Sequence, residues 1–231
     1  RVVERSRGLG DVYKRQDDTP QRVRRLCAKA ANPVRADLLE ALGMQARGLT
    51  TGAVCVYHRF VKTAVEALEG KNIPVAAVST GFPAGLNPHA LKLKEIEASV
   101  RDGAAEIDIV ITREHVLTGN WEALYREMRD FRQACGEAHV KAILATGELK
   151  TLRNVAKASM VCMMAGADFI KTSTGKESVN ATPLVSLVML RMIRQYQEMT
   201  GIQVGYKPAG GVATAKDCLL YTSDAADEGL G

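Results

Sequence analysis

The chain has little of several things. Aromatic residues make up 5% of its 231 residues, and histidine occurs only four times. His58, His89, His115 and His139 stand in separate segments, so they form no metal-ligand pattern. The five cysteines are odd in number, and no two share zinc-ligand spacing. A disulfide scaffold and a zinc module are therefore not expected, and the chain reads as a reduced protein of the cytoplasm. No apolar run is long enough to span a bilayer, and no secretory leader is visible. The sequence also lacks a Gly-x-x-x-x-Gly-Lys-Ser/Thr phosphate loop. A dinucleotide-binding sheet would carry a Gly-rich turn after its first strand, and none is there. Neither a metal nor an organic cofactor is expected.

What remains is ordinary soluble composition, 46% apolar and 25% charged, at a length that suits one domain. The apolar residues are mostly Val, Ile, Leu, Ala and Met, which fits buried parallel strands under helices. The net charge of +5 is spread along the chain, with both signs alternating at 92–97 and 126–132. These stretches read as solvated helix faces and not as a nucleic-acid surface. A modest positive excess suits a small anionic substrate.

The two ends differ from the middle. Residues 1–16 have no apolar period and carry five basic against two acidic residues, and 218–231 form an acidic, Gly-rich tail. Residues 10–16 (GDVYKRQ) and 218–228 (CLLYTSDAADE) resemble translated adapter sequence, with a divergent tail at each end as the alternative. The expected domain is thus 17–217, with 1–16 and 218–231 non-native or disordered.

Within 17–217 the text alternates. Thr19-Pro20 reads as a helix cap and first position, followed by a stripe of Val23, Leu26, Cys27 and Ala30. Short apolar runs at 53–57, 75–79, 107–111, 141–145, 169–170 and 203–206 read as strands. Helical spacing appears at 60–68, 93–100, 121–135, 152–164 and 183–199. Alternating β and α predicts an α/β fold with a parallel sheet, either a (β/α)8 barrel or an open doubly wound sheet. Six strands are legible where a barrel needs eight. The first and eighth strands would fall where the anomalous ends are, and this chain is expected to lack them. A weak internal echo, Gly-Ala-x-x-Ile followed by a charge, recurs at 103–108 and 166–171 and places Asp108 and Lys171 equivalently on their strands.

Three charges interrupt apolar strand text: Asp108, Lys171 and Lys207. An ion pair closing the barrel interior is the plain explanation for any one of them. Three together point to a site, because charge in a core is costly unless compensated. A lysine amine attacks a carbonyl only when neutral, and a second cation nearby with partial burial favours that form. Lys171 and Lys207 on consecutive strands could supply nucleophile and tuner, and Asp108 could move protons. Gly-rich turns follow both lysines, TSTGK at 172–176 and AGGV at 209–212, and such turns let backbone N–H groups approach a phosphate.

Residues 168–182 (DFIKTSTGKESVNAT) resemble the Schiff-base segment of the deoxyribose-phosphate aldolases. Residues 205–212 (GYKPAGGV) resemble their second-lysine and phosphate segment, and 106–110 (EIDIV) their catalytic-aspartate strand. Residues 144–149 (LATGEL) and 53–57 (AVCVY) are similar too, and the resemblance runs from about 17 to 217, closest to the eukaryotic-like branch. It implies a metal-free class I aldolase on a TIM barrel, reversibly cleaving 2-deoxy-D-ribose 5-phosphate to D-glyceraldehyde 3-phosphate and acetaldehyde. On that resemblance Lys171 forms the imine, Lys207 lowers its pKa and Asp108 relays protons. Lys141 is a nearby polar member, Cys55 lies near the aldehyde, and Gly175, Lys176, Gly210 and Gly211 hold the phosphate. Cys55 is equally well read as a small buried hydrophobe. The pattern departs at His58, where many relatives have proline, and at Ala213, where a polar residue is usual. The family's first strand with Asp-Leu-Thr-Thr and last strand with Gly-Ala-Ser are not found. The alternative function is a phosphate-binding barrel fragment without turnover. Expected partners are the phosphosugar and aldehydes, with self-association into a homo-oligomer left open.

Overall fold

A computed structural model describes residues 16–45, 48–212, 214, 216, 217 and 221. Expectations for 1–15, for Ala213 and for most of 218–231 lie outside these residues. The first helix, α1 (Pro20–Ala31), starts as the sequence predicts: the Thr19 hydroxyl accepts from the Arg22 N–H at 3.3 Å, and Pro20 occupies the first turn. Val23, Cys27 and Ala30 are its buried face. A short helix, α2 (Ala36–Ala41), follows.

Among the described residues six strands make one sheet: β1 (Val54–Tyr57), β2 (Val75–Ser79), β3 (Glu106–Val110), β4 (His139–Ile143), β5 (Phe169–Lys171) and β6 (Gly205–Lys207). All neighbours are parallel and paired in chain order. The crossovers carry α3 (Val61–Ala67), α4 (His89–Arg101), α5 (Arg113–Leu117) with α6 (Trp121–Cys135), α7 (Leu152–Met164) and α8 (Pro183–Thr200). Right-handed crossovers that always step the same way put every helix on one side of the sheet. The sheet then curls so that its other face looks inward, which is the barrel solution and not the doubly wound one.

The two faces differ chemically. Val54, Val56, Val75, Ala77, Ile107, Ile109, Val140, Ala142 and Ile170 face the helices and form the main core with Leu124, Met128 and Phe131. The alternate residues line the inside. There Cys55, Ala76 and Val78 form a small apolar cluster under Tyr57 and Phe82. Further round come Glu106, Asp108, Lys141 and Lys171, all buried. At the start of β6, Gly205 leaves room for the Phe169 ring: a Cβ there would lie 2.2 Å from it.

One expectation fails in the helix layer. Lys92 and Glu127 belong to the stretches read as solvated, yet both are buried. Lys92 Nζ donates to Glu127 Oε1 at 3.0 Å and to Thr112 Oγ1 at 2.6 Å, and the Thr112 N–H donates to Glu127 Oε2 at 3.0 Å. The alternating charges on α4 and α6 therefore include one pair that faces inward between the two helices. No helix among the described residues is long and apolar enough to cross a membrane.

Candidate active site

Strand alternation puts Glu106 and Asp108 of β3, Lys141 of β4, Lys171 of β5 and Lys207 of β6 on the same inner face. Register then sets their heights: Asp108 lies opposite Lys141, and Lys171 opposite Lys207. Lys171 and Lys207 end their strands, while Asp108 and Lys141 sit mid-strand, one layer deeper. In barrels the C-terminal strand ends form the reactive face.

The contacts are short and charge-assisted. Lys171 Nζ donates to Asp108 Oδ2 at 2.6 Å, and Lys141 Nζ donates to Asp108 Oδ1 at 2.7 Å. Lys141 Nζ also lies 2.6 Å from Glu106 Oε2. Asp108 is 0% exposed and Lys171 2%. Burial alone would raise the Asp108 carboxyl. Lys141, Lys171 and Lys207 outweigh it and hold the group well below the usual carboxylate range. Asp108 is thus a buried carboxylate that stays ionised, between a mid-strand lysine and one at the mouth. Together the inner face carries three lysines and two carboxylates.

Sequence reasoning named Asp108, Lys141, Lys171 and Lys207, and the fold brings them together. It named Glu106 only as the first letter of a matching segment. The available signal was alternation: Glu106 stands two residues before Asp108 in an apolar strand, so both must share a face. Cys55 is fully buried in the small apolar cluster with Ala76 and Val78.

The expected phosphate residues sit on two loops tied to each other. The Thr172 hydroxyl accepts from the Ala209 N–H at 2.9 Å, the Ser173 hydroxyl donates to the Ala209 carbonyl at 2.5 Å, and the Ala181 N–H reaches the same carbonyl at 3.3 Å. These links hold the loop after β5 against the loop after β6. Gly175, Gly210 and Gly211 all have positive φ, of 79°, 74° and 81°. At Gly210 a Cβ would also meet the Asn180 side chain at 2.6 Å. Lys176 is exposed, and its N–H turns toward Thr174 Oγ1 and Glu177 Oε2. The Glu177 carboxylate also accepts from the Thr174 N–H and hydroxyl, which fixes the turn that carries Gly175 and Lys176. Among the described residues no three His, Cys, Asp or Glu side chains converge as metal ligands do.

A family model described as DeoC/LacD family aldolase matches residues 12–230. Deoxyribose-phosphate aldolase from Homo sapiens is 61% identical over 209 residues, which is 90% of this chain and 66% of the relative. The Bos taurus enzyme is 60% identical over the same shares. The chain thus spans just under two thirds of the length of these relatives. Among solved structures, a Coccidioides immitis protein superposes with a TM-score of 0.80 at 24% identity, over 95% of this chain and 79% of that one. A tetrameric deoxyribose phosphate aldolase from Aeropyrum pernix gives 0.75 at 22%, over 96% and 83%. These likenesses show the fold: the six strands are those of an aldolase TIM barrel, a (β/α)8 architecture. The chain belongs to the DeoC/LacD family of aldolases.

Proposed function

We propose that this chain carries out the reversible retro-aldol cleavage of 2-deoxy-D-ribose 5-phosphate through an imine on Lys171. The observation that supports it best is the buried contact of Lys171 with Asp108, one layer below a mouth that Lys207 shares. Lys171 passes its proton toward Asp108 and attacks C1 of the open-chain sugar. Loss of water gives the iminium ion. A base, Asp108 directly or through a water, takes the proton of the C3 hydroxyl. The C2–C3 electrons move into the iminium group, releasing D-glyceraldehyde 3-phosphate and leaving an enamine. Protonation of the enamine carbon and hydrolysis return acetaldehyde and the free amine. The Lys207 charge at the same height opposes a second positive charge on Lys171 in the resting enzyme.

Gly175, Lys176, Gly210 and Gly211 then hold the phosphate, with their two loops already fastened together by Thr172 and Ser173. The reaction uses no metal, so EDTA is expected to leave the rate unchanged. Loss of rate in EDTA, restored by zinc, would tell against the imine. The Homo sapiens and Bos taurus relatives named above are deoxyribose-phosphate aldolases, and just under two thirds of their length is represented here. The physiological role that follows is breakdown of deoxyribose phosphate in the cytoplasm. Cys27, Cys55, Cys135 and Cys162 are buried and in no disulfide, and burial pushes the Cys135 thiol up to about 12, which suits a reducing compartment. Self-association like that of the tetrameric neighbour is part of the proposal and is read by light scattering. Borohydride trapping with the phosphosugar is the direct test. A permanent adduct on Lys171 is expected, and a chain that binds the sugar but traps nothing is the phosphate-binding fragment instead.

A further inference from the structure

The imine chemistry gives no role to the buried carboxylate of Glu106. Glu106 opens β3, is 4% exposed, and lies 2.6 Å from Lys141 through Oε2. The same ammonium also donates to Asp108 Oδ1 at 2.7 Å. Lys141 is therefore divided between two carboxylates, one layer apart on the same strand. Glu106 also lines a cavity of about 410 Å³ with Pro74, Ala105, Glu137 and His139. All of these stand at the N-terminal ends of β2, β3 and β4, the end of the barrel opposite Lys171 and Lys207. A line of ionisable groups thus runs from the barrel floor to its mouth: Glu106, Lys141, Asp108, Lys171.

The charge count shows what Glu106 does. With it, two carboxylates face Lys141, Lys171 and Lys207. Without it, Lys141 loses one of the two carboxylates that hold it. Lys141 would then lean more on Asp108, and a carboxylate held more tightly accepts and returns protons less readily. A buried ammonium deprived of a counter-charge is also costly, so Lys141 has no cheap way to stand apart. Among the described residues, the groups near Glu106 include Lys141 from β4, His139 opposite it in register on β4, Glu137 across the cavity, and Asp108 along its own strand. From β2 the residue in register is Ala76, which carries no charge.

We infer that Glu106 is a positioning residue for proton transfer in the lysine-imine reaction, acting through Lys141 to leave Asp108 available to the substrate. The inference rests on the proposed function, and the test separates the two. The full chain is compared with E106Q, E106D, K141M and E106Q/K141M. Borohydride trapping of acetaldehyde reads imine formation. Exchange of the acetaldehyde methyl protons in D2O reads proton transfer at the imine. In E106Q, trapping stays within about twofold while exchange falls about tenfold or more, since positioned acid–base groups contribute on that scale or above. Its acid limb of activity moves to lower pH, because loss of a negative charge favours the neutral amine. KM for the phosphosugar stays put, and E106D restores most of the exchange. In the K141M background, E106Q changes exchange by less than about twofold, because the route through Lys141 is already gone. Unchanged exchange and an unmoved acid limb in E106Q overturn the inference, as do independent effects of E106Q and K141M. If E106Q fails to fold, E106A decides on the same readouts: it also removes the charge, so slow exchange with wild-type trapping supports the inference, and normal exchange overturns it. An unsubstituted chain that traps nothing sinks the imine reading itself and takes this inference with it.

Discussion

At Lys171 two influences on the proposed nucleophilic amine pull against each other. The Asp108 carboxylate at 2.6 Å favours the ammonium form, while Lys207, opposite in register, opposes it. In the proposed reaction the attacking amine is the one from which a proton has moved on to Asp108 or to water. Lys171→Ala removes the amine proposed to form the imine, so trapping and turnover should both vanish. Lys207→Leu removes the opposing charge and keeps the nucleophile, so a slower enzyme is expected with its rate optimum at higher pH. A Lys171→Ala protein with near-normal turnover would refute the assignment. Lys176 is a different case. It is exposed on the loop after β5, and its charge would meet the phosphate and not the reacting carbon. Lys176→Ala should weaken use of the phosphorylated sugar far more than that of free deoxyribose. Charge-assisted contacts contribute about 1.5–3 kcal/mol, roughly tenfold to a hundredfold. Equal losses of kcat/KM on the two sugars would remove Lys176 from the phosphate site.

Helices and strands were largely legible because their patterns are local. The 152–164 helix is found at its expected bounds, with Thr151 capping the Asn154 N–H at 3.1 Å. Two short helices, Ala36–Ala41 and Arg113–Leu117, were not anticipated, since five or six residues hold too few turns to show a period. The last two strands are three residues each, and for them the chemistry of Lys171 and Lys207 was a better marker than the apolar pattern. The Lys92–Glu127 pair was illegible for another reason. Charge alternation along a helix looks the same whether a given residue faces water or a neighbouring helix, and only the packing of α4 on α6 decides it. That pair carries an expected outcome. Glu127→Ala leaves the Lys92 ammonium buried and deprives the Thr112 N–H of its acceptor. Breaking one side of a buried ion pair costs about 3–5 kcal/mol, while an exposed change such as Glu97→Ala stays within about 0.5 kcal/mol. Urea midpoints of the two variants check this. Similar small shifts in both would mean that water reaches the Lys92 site.

At the scale of the whole molecule, the barrel's inner face is half apolar and half charged, and the charged half ties stability to pH. The resemblance marked Asp108, Lys141 and Lys171 from short motifs. It could not show that they interlock with Glu106, because contact between β3, β4 and β5 depends on register and not on sequence distance. That interlocking has a consequence on acidification. Unfolded, an aspartate titrates near 3.9. Folded, Asp108 is held well below that by its lysines against the cost of burial. A group whose folded value is depressed adds stability that is fully present above its unfolded value and is lost as pH falls toward the folded one. The contribution of Asp108 should therefore be constant at neutral pH and decline below about pH 4. Asp108→Asn cannot titrate, and it leaves Lys141 and Lys171 short of a counter-charge. It should be less stable than the unsubstituted chain at pH 7, by about 3–5 kcal/mol if both lysines stay charged. The gap should then narrow between pH 4 and pH 3, because only the unsubstituted chain loses the Asp108 contribution there. Other carboxylates titrate in the same range in both proteins, so the difference between the two curves isolates this group. Urea unfolding at pH 7, 4 and 3 measures it. Parallel curves would mean that Asp108 is not held as a buried carboxylate, and that the charge network at the centre of the proposed site is not what stabilises the barrel interior.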